Sequence, residues 1–332
     1  MRASKVIAAT RAFTLVEMLV AMATFAILLV ILFAIITQMA NVMRQSTRQI
    51  DAFQSARIGF DVLTHSLGQA TLNPYLDYDS STSPTNYLRK SDLDFVIGPS
   101  GSANFYGAVS AFPGTVQTGQ AVFFQAPLDY VTNIGSDGGL ESLLNTAGYY
   151  VSFTTNSGIP PHVKSASNPY RYRLMQMLVP TETNSIYQPG GTNDDWFADP
   201  SFQNYIVSVA DNVIALIIRP QDPSANPPAD ITTDYSYDSS SNATLYPQPV
   251  TANQLPPLLQ VTMVAIDEAT AKRLDSGSTQ PAAISSALNG KFQISANFQT
   301  DLAQLEQQLT AAHIPYKVFS SNVPIRESKW TK

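Results

Sequence analysis

The chain of 332 residues contains no cysteine, which excludes disulfides, thiolate metal centres and a cysteine nucleophile, and leaves the redox compartment unreadable from thiols. Histidine occurs only at His65, His162 and His313, scattered over an expected helix, a Pro-rich loop and an expected helix end. Charge is also scarce: Asp, Glu, Lys and Arg make up 13 % of residues, against ~25 % in a typical soluble domain. Polarity comes instead from Ser, Thr, Asn and Gln. The net charge of -6 argues against a nucleic-acid surface. The sequence has no G-x-S-x-G, P-loop, G-x-G-x-x-G or H-E-x-x-H pattern, so hydrolase, nucleotide and zinc-protease chemistry have no anchor. The "GPSG" of residues 98–101 has the wrong spacing for a nucleophile elbow and reads as a turn. No catalytic residue, cofactor or metal centre is assigned.

What is present is one long apolar run. No charged residue occurs over 18–43, and Thr24 alone interrupts the apolar core at 18–36. About 20 apolar residues rising ~1.5 Å each cross a ~30 Å hydrocarbon layer as a helix that satisfies its own backbone. Ahead of the run, residues 1–12, "MRASKVIAATRA", carry Arg2, Lys5 and Arg11 and no acid. A secretory signal would place its small-residue cleavage site after the apolar run, whereas Ala12 precedes it. Arg44 and Arg48 follow the span closely, so flanking charge alone does not set its orientation. Within "RAFTLVEMLV" stands one carboxylate, Glu17. An acid in a membrane segment costs a few kcal/mol and is a functional candidate by default; the simpler alternative is a Glu that snorkels to the interface.

A basic leader, a small residue, then Phe13-Thr14-Leu15-Val16-Glu17 and an unbroken apolar helix together resemble the N-terminal motif of type IV prepilins and type II secretion pseudopilins. The resemblance implies that a prepilin peptidase cuts between Ala12 and Phe13 and methylates the new N-terminal amine. The family usually has Gly at the position of Ala12; Ala is also small. Glu17 would then be the assembly residue, its carboxylate neutralised at low dielectric by the N-terminal ammonium of an adjacent subunit. Further along, "FQSARIGFDVLTHSLGQATLNPYLDYD" (53–79), "YLRKSDLDFVIGP" (87–99), "YRYRLMQMLVPTE" (170–182) and "YKVFSSNVPIRESKW" (316–330) look like the C protein of the Verru_Chthon cassette, a pilin-like family. More loosely, "LPPLLQVTMVAID" (255–267) is similar to the J-type minor pseudopilin of type II secretion. These resemblances imply a minor structural subunit of the inner membrane with a periplasmic head. Its partners would be the peptidase, the membrane and other pilin-like subunits. The alternative is a membrane-tethered extracytoplasmic binding module that does not polymerise; an anchored enzyme ranks third.

Beyond the span, Phe53, Ala56, Phe60, Leu63, Leu67 and Ala70 recur at spacings of three and four, the stripe of an amphipathic helix. Asn73-Pro74 should break it. Phe53, Phe60, Leu63 and Leu67 are the residues expected to pack on the head. Strands are expected at 93–97, 121–125, 149–153, 170–179, 206–218, 258–266 and 316–319. A helix is expected from Asp267, and another over "TDLAQLEQQLTAAH" with Asp301 and Gln304 as a capping box. The expected fold is α+β and pilin-like, a long N-terminal helix on an antiparallel sheet. Its parts are a leader (1–12), a transmembrane segment (13–43), an amphipathic segment (44–72) and a β-rich head (73–332). Residues 220–257, dense in Pro, Asp, Ser and Asn, read as a surface excursion. Carboxylates cluster at Asp194, Asp195 and Asp199 in "NDDWFAD" and at Asp230, Asp234 and Asp238. Both are candidate calcium loops for which a solvated polar loop is the simpler reading. Trp196-Phe197 in the first is expected to fold back on the head.

Overall fold

The computed structural model describes residues 15–99, 116–137, 139–140, 142–155, 168–187 and 200–331. The fold is α+β, with an N-terminal apolar helix and antiparallel sheets. It divides into two units, residues 1–51 and 52–332.

In the first unit, helix α1 (Leu15–Leu67) carries a segment, Leu15–Met39, long and apolar enough to cross a membrane. The residues of that segment are exposed along its length. Its two threonines return their hydroxyls to the helix: Thr24 Oγ1 donates to the carbonyls of Val20 (3.1 Å) and Ala21 (3.0 Å), and Thr37 Oγ1 to those of Phe33 (2.8 Å) and Ala34 (2.9 Å). A hydroxyl satisfied within its own helix makes no demand on water, so neither Thr interrupts the apolar surface.

In the second unit the α1 stripe is core. Ala56, Phe60, Leu63 and Leu67 are buried, and Phe53 packs against the same cluster half-buried. The helix stops at Leu67, before Asn73-Pro74, which corrects the boundary expected at residue 72. Gly68 N donates to Thr64 O and Gln69 N to Ser66 O, and Thr71 N then bonds Gln125 O at 2.9 Å. A strand of the sheet takes the backbone that a further helical turn would have used.

Strands β1 (Tyr75–Tyr78) and β2 (Tyr87–Lys90) form a separate hairpin. The remaining strands are β3 (Val96–Pro99), β4 (Val116–Ala126), β5 (Asn145–Thr154), β6 (Arg171–Val179), β7 (Ile206–Asp211), β8 (Val213–Asp222), β9 (Ala229–Asp230), β10 (Tyr237–Asp238), β11 (Leu258–Ile266) and β12 (Tyr316–Pro324). They make a large sheet of six strands, ordered β10-β3-β4-β5-β6-β7, and a small one of four, ordered β12-β11-β8-β9. Every pairing is antiparallel. The strand period of two divides the large sheet's side chains between two apolar clusters. Phe124, Tyr149, Val151 and Leu174 join the stripe of α1 and the small sheet, while Phe123, Tyr150, Met175 and Met177 form a second core on the opposite face. Both faces of the sheet are therefore buried, and β4 and β5 place apolar side chains on each, as in Phe123-Phe124 and Tyr149-Tyr150.

The expected strand at 206–218 is two strands in different sheets. Asn212, at φ 63°, makes the corner between β7 and β8; Asn tolerates that left-handed conformation better than other residues with a side chain. Gly119, at φ 77°, lets β4 approach β8 so closely that a Cβ there would lie 2.9 Å from Leu216 O. Residues 220–257 are not a surface excursion. They supply β9 to the small sheet and β10 to the large one, and they bury Tyr235, Tyr237, Ala252 and Leu255. The aromatic residues among them anchor the segment, so its polar composition misdescribes it.

Besides the one-turn α2 (Ile134–Asp137), the α-helices of the unit among the described residues are α3 (Glu268–Arg273), α4 (Ala282–Leu288) and α5 (Phe298–Ala311). Asp267 caps α3 by accepting from Thr270 N at 3.3 Å. The Asp301/Gln304 capping box does not form, because α5 begins earlier, at Phe298. Asp301 accepts instead from Phe292 N (2.8 Å) and Gln304 from Lys291 Nζ (2.9 Å).

Candidate functional site: the N-terminal helix and its carboxylate

Glu17 lies in the first described turn of α1 between exposed apolar neighbours, Leu15, Val16, Met18 and Leu19. The positive end of a helix macrodipole favours a carboxylate at this place. Ala12 and Phe13, the expected processing junction, lie outside the described residues, as do Asp194, Asp195, Asp199, Trp196, Phe197 and His162.

The four packing residues are brought together with the head as the stripe predicts. The Phe60 ring lies 5.8 Å from that of Phe319 on β12. One turn on from Leu63, Ser66 accepts from the Tyr149 hydroxyl on β5 at 3.0 Å, and that hydroxyl accepts from Gln176 Nε2 on β6 at 2.7 Å. Burial pushes Tyr149 up to about 12, against the pull of those two hydrogen bonds. The phenol is thus a neutral tie between helix and sheet.

The second acidic loop is dispersed by its own partners. Asp230 pairs with Arg219 at 2.7 Å, Asp234 accepts from Ser236 N at 3.2 Å, and Asp238 accepts from the Ser240 amide (2.9 Å) and hydroxyl (2.7 Å). No group of three His, Asp or Glu able to hold a metal occurs among the described residues. His65 stands 2.8 Å from Gln69 Nε2 on α1, and the His313 carbonyl accepts from Arg273.

Two features have little or no sequence signal. The β1–β2 hairpin exposes Leu76 and a stacked pair, Tyr78 and Tyr87, with ring centroids 4.6 Å apart. Arg171 and Arg173, the two charges of "YRYR", are both buried, with Tyr172 between them. The Asp-Asn pair inside the apolar "VADNVIAL" was the one available turn signal for the Asn212 corner. Compared with protein-family models, curated proteins and solved structures, the chain matches none.

Proposed function

We propose that the chain is a pilin-like minor structural subunit, processed at Ala12-Phe13 and held in the inner membrane with its head in the periplasm. From there it is drawn into a pilus-like or type II secretion-like assembly. The observation that carries this reading is the Leu15–Met39 segment: apolar, wholly uncovered, and interrupted near its start by Glu17. An apolar surface of that extent calls for lipid or other apolar helices. Lipid alone penalises Glu17, whereas a neighbouring subunit's N-terminal ammonium compensates it. The packed residues Phe53, Phe60, Leu63 and Leu67 on the same helix give the membrane segment a folded load. A head as large as residues 52–332 favours a scarce subunit over the bulk of a filament, where copies would crowd one another.

Glu17→Leu separates anchoring from assembly. Insertion should persist, since a buried charge is lost, while cross-linking of the helix to partner helices falls on the order of tenfold, equivalent to ~1.4 kcal/mol. Unchanged cross-linking would remove Glu17 from assembly and favour the tethered binding module. Material sheared from the cell surface should contain this chain as a minor component; dominance among the pilin-like subunits recovered would contradict that part.

A further inference from the structure

The corner at Asn212 joins the two sheets and is almost fully bonded. Its N–H donates to Tyr172 O at 2.6 Å, its carbonyl accepts from Ile266 N at 2.9 Å, and its Nδ2 donates to Glu268 Oε2 at 2.7 Å. That last bond fixes the amide's orientation and leaves Oδ1 as the remaining acceptor. Arg171 is committed in the same way, Nη1 donating to Tyr170 O (2.8 Å) and Asp275 Oδ2 (3.0 Å). Arg171, Tyr172 and Asn212 are 5 %, 3 % and 5 % exposed. Arg171 Nε, Tyr172 Oη and Asn212 Oδ1 have no partner among the described residues.

All three side chains line one small cavity of ≈ 10 Å³, whose lining also includes Phe153, Leu274, Ile284 and Asp275, the last already paired with Arg171. That volume is at the lower bound for one water molecule. A buried polar atom without a partner costs about 1–3 kcal/mol, and three such atoms on side chains that line one space make a dry cavity expensive. We propose that the cavity binds a single structural water, which accepts from Arg171 Nε–H, donates to Asn212 Oδ1 and exchanges a hydrogen bond with the Tyr172 hydroxyl. The donor set selects this ligand. An anion would face the Asn212 carbonyl oxygen, a cation would face the Arg171 guanidinium, and anything larger would not fit. Bound there, the water ties β6 to the β7–β8 corner.

Tyr172→Phe in the full-length, detergent-solubilised chain tests the sign. The ring stays in place against Phe153, 4.9 Å away between centroids. With water present, the variant breaks a satisfied hydrogen bond and the melting temperature drops by about 2–4 °C. In a dry cavity the variant deletes an unpaired hydroxyl, so an unchanged or raised melting temperature overturns the proposal. A crystal structure of the full-length chain should show density within hydrogen-bond distance of Arg171 Nε and Asn212 Oδ1; an empty cavity there overturns it whatever the melting result.

Discussion

Gly59 illustrates how one atom reverses a helix rule. In a helix, Gly→Ala gains ~1 kcal/mol of propensity. Here the added Cβ would lie 2.8 Å from Ala210 Cβ on β7, with Leu174 and Val209 close behind. Ala210 is itself buried and has no flexible end to swing away, and overpacking of that kind costs ~1–3 kcal/mol. The clash outweighs the propensity, so Gly59→Ala should destabilise the head by about 1 kcal/mol, read from chemical denaturation. A stabilised variant would show that α1 and β7 are less closely packed. Residues whose role rests on periodicity were legible from sequence: Phe60, Leu63 and Leu67 face inward because a spacing of three and four admits one face only. Residues whose role rests on tertiary neighbours were not. Asp301 and Gln304 have capping-box spacing, but Phe292 and Lys291 claim their oxygens, and no local pattern records that. Arg171 is buried although charge is usually solvated, and no local pattern marks it.

Among elements, the turn joining β1 to β2 is held by one carboxylate. Asp79 accepts from the Thr85 hydroxyl, from Thr85 N at 2.9 Å, and from Asn86 N and Nδ2 at 3.1 and 3.2 Å. Those donors, the Thr85 hydroxyl foremost, hold its carboxyl well below the usual carboxylate range. A folded-state pKa below the unfolded value of ~3.9 gives stabilisation that is complete above that value and is lost as pH falls toward the folded one. Amide protection at Thr85 and Asn86, corrected for intrinsic exchange, should therefore be constant from about pH 7 to 5 and decline below about pH 4. Constant protection down to about pH 2.5 would contradict the Asp79 lock. Strands β6 and β11 were legible because they are rich in apolar and aromatic residues and are bounded by Pro169 and Pro180, and by Pro257 and Asp267. The run at 206–218 was not, since both strands it contains are apolar and only the Asp-Asn pair marks the corner. Residues 220–257 misled through composition: Tyr235 and Tyr237 carry the burial while Pro, Ser and Asp fill the count.

For the whole molecule, the decisive feature is the coexistence in one chain of an uncovered apolar helix and a head whose core receives the later turns of α1. The apolar segment was fully legible, because a run of ~20 apolar residues is long enough as a helix to cross a membrane. The large sheet's second core was not, because nothing local distinguishes a strand buried on one face from a strand buried on two. The pilin-like reading assigns the uncovered helix to lipid first and to neighbouring subunits afterwards, with removal of residues 1–12 as the step between. Mass spectrometry of the native chain's N-terminus, taken from membranes of cells with an active prepilin peptidase, tests that most directly. The expected result is a mature chain that begins at N-methylated Phe13; a chain that still carries Met1 and an intact leader would contradict it.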